Sequence, residues 1–173
     1  MENKISEKVK QTGSIGLRNL VFGVEDGLVS TVGFVSGIAT AGLPLKTILV
    51  SGIVLISVEA FSMTAGSFLS ESSAEEFENA EAPSFKNALT GSLIMFFSYV
   101  IAGGLVLTPY FFLPTGKALW YSVALSFAAL ILLGTLSAKI SGTRLFKAPL
   151  RMVIVGSLAT LLGVAVAHVS SSI

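Results

Sequence analysis

Two long stretches without a charged residue dominate this sequence. Residues 87–116 and 118–138 contain no Asp, Glu, Lys or Arg. Apolar runs of about 18 or more residues are typical of helices that cross a bilayer. The whole chain agrees with this pattern, because only 12% of its 173 residues are charged, against about 25% in soluble domains. The sequence therefore predicts an all-α integral membrane protein.

Five hydrophobic segments are each long enough to span the hydrocarbon, which requires roughly 20 residues. Pro109 and Pro114 are expected to end the third segment, and the aromatic residues around them are typical of a belt at the membrane interface. These aromatic residues are Tyr110, Phe111, Phe112, Trp120 and Tyr121. The predicted spans are 17–42, 46–70, 86–108, 117–138 and 149–169. They are expected to form one transmembrane domain over residues 1–173.

Lys and Arg residues are distributed unevenly between the connections. With five alternating spans, only Lys46 and Lys117 fall on the side opposite the N-terminus. The other nine of the eleven fall on the N-terminal side: Lys4, Lys8, Lys10, Arg18, Lys86, Lys139, Arg144, Lys147 and Arg151. The positive-inside rule therefore predicts a cytoplasmic N-terminus and a C-terminus on the opposite side. It also predicts that the acidic connection 71–85 lies in the cytoplasm.

Carboxylates inside the predicted spans are the first candidate functional residues. Glu25 and Asp26 interrupt the apolar run VFGVEDGLVS of the first span, and Glu59 lies in the second. An ionisable group inside a membrane is costly and marks a functional site by default. We expect Glu25, near the cytoplasmic end, to reach water. Asp26 shares a helix face with Ser30 and two glycines, so we expect it to face protein or a water-filled path.

Met63 follows Glu59 by four residues and therefore lies on the same helix face. A carboxylate and a thioether one turn apart are suitable ligands for a divalent transition metal. The hard oxygen suits Mn²⁺ and Fe²⁺, whereas the softer sulfur disfavours Ca²⁺ and Mg²⁺. Ser62 and Ser30 are polar accessory candidates. Ordinary packing of Met63 stays open at this point, because spacing alone does not separate the two roles.

Two motifs resemble the signatures of the vacuolar iron transporter family. Its members typically carry G-x-x-D-G-L in helix one and S-M-x-x-G-x-[YF] in helix two, which here are residues 23–28 and 62–68. The resemblance covers nearly the whole chain. It implies five membrane helices, export of Fe²⁺ or Mn²⁺ from the cytosol in exchange for protons, and a homodimer with the ion path between the copies. On this resemblance, Asp26 and Met63 are the family's helix-one aspartate and helix-two methionine.

The chain departs from the family's pattern at two places. The family's helix-two glutamate, eight residues before the methionine, corresponds to Leu55, and Glu59 stands one turn later on the same face. The long cytoplasmic metal-binding insertion of many members is replaced by the short segment 71–85. Recruitment of cations by this segment and a plain solvated connection are both open. The carboxylates that recruitment would use are Glu71, Glu75, Glu76 and Glu78.

Composition and motifs together predict a metal transporter that has no catalytic residues and no permanently bound cofactor. The chain has no cysteine, which excludes thiolate sites and thiol catalysis. Its net charge of +1 gives no basic surface for nucleic acid. A membrane subunit that only packs against partners and a passive divalent-cation channel are the alternatives. The host membrane is expected to be the cell membrane of a prokaryote or a vacuolar-type membrane of a eukaryote.

Overall fold

Five long helices and no strand make up the part of the chain that a computed structural model describes. The described backbone comprises residues 2–79, 85–142 and 146–170, and the described side chains are those of 14–77, 85–142 and 146–170. The helices are α1 (Glu2–Thr40), α2 (Leu45–Asn79), α3 (Phe85–Phe112), α4 (Thr115–Ile140) and α5 (Lys147–Ser170). Each contains a segment long and apolar enough to cross a membrane. The predicted all-α fold with five membrane helices is confirmed.

Two helix ends differ from the prediction. Pro109 does not end α3, which continues to Phe112, and the chain turns only at Pro114 before α4. A proline in the last turn removes a single hydrogen bond, and the Leu113 amide still donates to the Pro109 carbonyl oxygen at 3.0 Å. α2 extends through residues 71–79, because this acidic stretch contains good helix formers and neither Gly nor Pro. The described part of the acidic connection is therefore helix.

α1 and α3 form the centre of the bundle. In an apolar 18-residue stretch of each, 56% and 44% of the residues are buried, compared with 22%, 22% and 17% in the corresponding stretches of α2, α4 and α5. α1 packs against all four other helices. The outer helices present large apolar side chains such as Phe61 and Leu161 on their exposed faces, which is what lipid contact requires. Several polar side chains of α1 and α3 are buried as a result: Asn19, Thr31, Ser36, Ser92 and Ser98.

Glycines let α1 approach two neighbouring helices at backbone distance. A Cβ atom on Gly23 would lie 2.8 Å from the carbonyl oxygen of Met95. One on Gly27 would lie 2.7 Å from the carbonyl oxygen of Tyr99, and one on Gly33 would lie 2.9 Å from a carbonyl oxygen of α5. These separations are shorter than a side chain tolerates. The close helix approach that the small residues of α1 predict is present in the structure.

One member of the predicted aromatic belt lies in the core. Tyr110 is fully buried beside Leu107 and Ile48. It follows Leu107 by three residues, which places both on the inward face of α3. The remaining four aromatic side chains are exposed as an interfacial belt requires: Phe111, Phe112, Trp120 and Tyr121. The assignment of Tyr110 to the belt was wrong, because clustering in sequence does not specify the helix face.

Candidate functional site

The packing of α2 on α3 sets the depth of the candidate side chains. Gly52 of α2 lies against the side chain of Leu107. One turn farther along α2, Ile56 lies against Gly103. The two helices are therefore antiparallel, and each step forward on α2 is matched by a step back on α3. Continuing this register brings the second half of the α2 span opposite residues 95–99.

A hydrogen-bonded group of side chains from three helices lies at this depth. The Tyr99 hydroxyl of α3 donates a long hydrogen bond to Glu59 Oε2 of α2, with an O–O distance of 3.4 Å. The same hydroxyl is hydrogen-bonded to Ser30 Oγ of α1. Ser30 Oγ in turn donates to the main-chain carbonyl oxygen of Asp26 at 2.7 Å. We refer to Asp26, Ser30, Glu59 and Tyr99 as the carboxylate layer.

The acidic side chains at this depth come from two helices. Glu59 of α2 is joined through Tyr99 to Ser30, one turn after Asp26 on α1, and Glu25 precedes Asp26. All three acidic side chains are half-buried. Arg18 is paired with Glu71 at an N–O distance of 2.9 Å and lies about 12 Å along α1 from Asp26. Like charges brought together away from water are costly, so this arrangement favours a cation or protons between the carboxyl groups.

Met63 lines an open cleft of about 500 Å³ between α1, α2 and α3. This cleft adjoins the carboxylate layer, because Met63 is one helical turn from Glu59. From there it extends along α1 in the N-terminal direction, as far as Arg18. Ser62, the other accessory candidate, also lines the cleft, and so does Met95 of α3. The structure thus arranges the predicted membrane residues in two neighbouring groups.

The acidic residues at the end of α2 differ in their exposure to solvent. Glu71 is largely buried in its ion pair with Arg18. Glu75 is half-buried and Glu76 is exposed on the same helix. The side chain of Glu78 lies outside the described residues. A role for this segment in cation recruitment stays a prediction, and Glu76 is the most exposed of its three carboxylates whose side chains the structure describes.

Two residues of this region were not identified from the sequence. Tyr99 joins Glu59 to Ser30, and Met95 faces the same cleft as Met63. A tyrosine in an uncharged span is a signal because its hydroxyl needs a partner when buried. The signal is weak because the sequence does not identify that partner. Among the described residues no three His, Cys, Asp or Glu side chains group together as a metal site. The described residues therefore provide carboxyl groups from α1 and α2 with hydroxyl and thioether neighbours.

Comparisons with known proteins match nearly the whole chain. A sequence profile of the VIT family matches residues 17–91 and 81–168. Vacuolar iron transporter 1 of Tulipa gesneriana is 23% identical over 234 aligned positions, which cover 99% of this chain and 95% of that protein. Vacuolar iron transporters 1 and 2 of Oryza sativa subsp. japonica are each 22% identical. These alignments cover 83% and 90% of this chain and 81% and 87% of the rice proteins.

The comparisons also bear on the short connection between α2 and α3. The two matched segments of the family profile overlap at residues 81–91, a range that includes the start of α3 at Phe85. The alignment with the tulip protein has 234 positions, whereas this chain has 173 residues. The tulip protein therefore contains residues that have no counterpart here. This fits a chain that retains the membrane helices with a shortened connection.

Proposed function

Because this chain belongs to the VIT family, we propose that it carries a divalent transition metal, Fe²⁺ or Mn²⁺, out of the cytosol in exchange for protons. The observation that supports this most directly is the hydrogen-bonded link from Glu59 of α2 through Tyr99 to Ser30, one turn after Asp26 on α1, within the membrane segments. Relatives from tulip and rice are named vacuolar iron transporters, which supports iron as a cargo. The proposed host membrane is a cell membrane or a vacuolar-type membrane.

Exchange for protons follows from the chemistry of the carboxylate layer. A metal ion binds only deprotonated carboxylates, so its binding releases protons. We propose that the empty carrier holds protons here and loses them when metal arrives.

We propose a homodimer with the ion path between the copies, as the family resemblance implies. Val58 and Phe61 of α2, on either side of Glu59, are more than 60% exposed. They give α2 an apolar face beside a half-buried carboxylate. Two copies would bring up to four carboxylates and two Met63 thioethers around one axis. Such a set satisfies a six-coordinate ion without cysteine or histidine.

The proposed direction of transport requires a defined orientation. We expect residues 71–85 and 139–148 to face the cytoplasm, and 109–116 and the C-terminus to face away, because Lys and Arg are concentrated on the first side. The chain has no native cysteine, so single cysteines at the exposed positions 76 and 112 can be labelled with an impermeant reagent. Labelling of both positions from the same side of sealed vesicles would overturn this orientation.

Transport is tested with purified protein in proteoliposomes. We expect Fe²⁺ uptake to accelerate and to exceed equilibrium when the vesicle lumen is acidic, and to slow when the pH is equal on both sides. Mn²⁺, Zn²⁺ and Ca²⁺ in parallel give the selectivity. An Fe²⁺ uptake rate that is the same with and without the pH gradient would indicate a passive channel. No uptake of any ion by well-folded protein would indicate a subunit that only packs against partners.

A further inference from the structure

Two methionines from different helices lie at one depth, next to the carboxylate layer. Met63 is four residues after Glu59 on α2, and Met95 is four residues before Tyr99 on the antiparallel α3. Because Glu59 and Tyr99 are in contact, this spacing brings the two thioethers level. They lie about 6 Å along the helices from the carboxylate layer. Both residues line the same cleft of about 500 Å³, where Met95 is 4% exposed and Met63 is half-buried.

The wall of this cleft also carries oxygen groups that suit a hydrated ion. Ser62 and Ser67 of α2 line it together with the two methionines. A water molecule coordinated to a metal ion in the cleft would donate hydrogen bonds to such hydroxyl oxygens.

We propose that Met63 and Met95 form a thioether subsite that the metal ion occupies before it reaches the carboxylate layer. This inference rests on the proposed transport function. Thioether sulfur is a soft and uncharged ligand, which binds transition metals but competes poorly with water for Mg²⁺ and Ca²⁺. The carboxylates alone would accept those hard ions. Met95 is therefore a specificity-determining residue that α3 adds to the path.

Competition experiments in proteoliposomes test the role of Met95. Fe²⁺ uptake is measured against increasing Cd²⁺, a soft competitor, and against increasing Mg²⁺. Met95→Leu keeps the approximate volume of the side chain and removes the sulfur. We expect the Cd²⁺ concentration for half-inhibition to rise about tenfold, the scale on which loss of a supporting ligand weakens a metal site. Inhibition by Mg²⁺ should stay the same or strengthen.

Met152→Leu is the matched control, because it makes the same chemical change at a buried methionine of α5. Met152 packs with Leu130 and Val106 in a separate apolar cluster. We expect this variant to leave the competition by Cd²⁺ unchanged. An unchanged profile for Met95→Leu would overturn the subsite. Equal shifts in both variants would also overturn it, since they would trace the effect to packing.

X-ray absorption of bound Cd²⁺ tests the subsite without relying on transport. The purified Met63→Leu protein should retain a cadmium–sulfur contact that disappears in the double variant Met63→Leu/Met95→Leu. Absence of sulfur in the first variant would overturn the proposal, even if Met95→Leu alone fails to fold. If the native protein transports no metal but shows this contact, the proposed function fails and the subsite stands.

Discussion

Polar side chains are buried both in the outer helices α4 and α5 and in the central helices α1 and α3, but their hydrogen bonding differs. On α4, Ser122 Oγ donates to the Val106 carbonyl oxygen and Ser126 Oγ to that of Ser122, each at 2.8 Å. On α5, Thr160 Oγ1 donates to a carbonyl oxygen of its own helix. In the described part of α1 and α3, by contrast, three buried polar atoms have no partner: Asn19 Nδ2, Thr31 Oγ1 and Tyr110 Oη.

The difference separates a scaffold, formed by α4 and α5, from a working surface, formed by α1, α3 and the part of α2 that carries Glu59. A hydroxyl that bonds a main-chain carbonyl has no remaining need for a ligand, so α4 and α5 can tolerate a lipid environment. An unpaired buried polar group costs roughly 1–3 kcal/mol. The α1–α3 region contains such groups and also holds Asp26, beside the hydrogen-bonded link from Glu59 of α2 through Tyr99 to Ser30. We assign transport to α1–α3 because this link and the carboxyl groups at its ends lie there.

The largest expected effect is that of Asp26→Asn. The substitution is nearly isosteric, but it removes a negative charge and a titratable proton from the carboxylate layer. Even partners outside the ligand shell typically contribute 10- to 100-fold to metal affinity or activity. We therefore expect Fe²⁺ uptake to fall by at least about 100-fold. Proteoliposome uptake measures it, with size-exclusion chromatography to show that the variant is folded. Uptake at the native rate would remove Asp26 from the path.

The second prediction concerns the link between α2 and α3. Tyr99→Phe removes only the hydroxyl that joins Glu59 to Ser30. Glu59 then loses a positioning partner, and we expect transport to fall by about tenfold. Initial uptake rates over a range of Fe²⁺ concentrations measure this effect. A positioning role predicts that Tyr99→Trp does not restore transport, because the larger ring displaces the hydrogen-bonding position.

Tyr110→Phe provides a matched control on the same helix. Tyr110 is also fully buried, and its hydroxyl has no hydrogen-bond partner within the described residues. Removal of this hydroxyl should therefore leave transport unchanged and leave thermal stability equal or higher. If the two Tyr→Phe variants lose transport to the same extent, the hydrogen-bonded group around Tyr99 has no special role.

Most of the fold was predictable from the sequence, whereas the site was predictable only in part. The length of the apolar segments identifies all five membrane helices, because the thickness of the bilayer sets the minimum length of a spanning helix. Asp26 and Met63 stand out through charge and motif, and their roles stay predictions. Tyr99 and Met95 do not stand out, since their relevance arises from the register of α2 on α3. That register depends on close contacts such as Gly103 with Ile56, which no local pattern specifies.

The third prediction tests whether the working surface extends beyond the membrane. Replacing Glu75, Glu76 and Glu78 by Gln should lower Fe²⁺ uptake a few-fold at scarce metal and leave the maximal rate largely intact. Carboxylates in solvent concentrate cations without binding them tightly, and salt screens this effect. The difference from native protein should therefore shrink as ionic strength rises. Complete loss of uptake at saturating Fe²⁺ would instead make this end of α2 an obligatory part of the path.

The smallest expected effect lies on the scaffold side, at Ser122→Ala. The variant removes the hydrogen bond from Ser122 Oγ to the Val106 carbonyl oxygen, which joins α4 to α3. Such a bond contributes about 1 kcal/mol, and alanine fills the position without strain. We expect a small fall in thermal stability in detergent and no change in Fe²⁺ uptake. If uptake falls as far as in Tyr99→Phe, polar groups of α4 belong to the transport path. The division between scaffold and working surface would then be wrong, because a hydroxyl of an outer helix would contribute to transport.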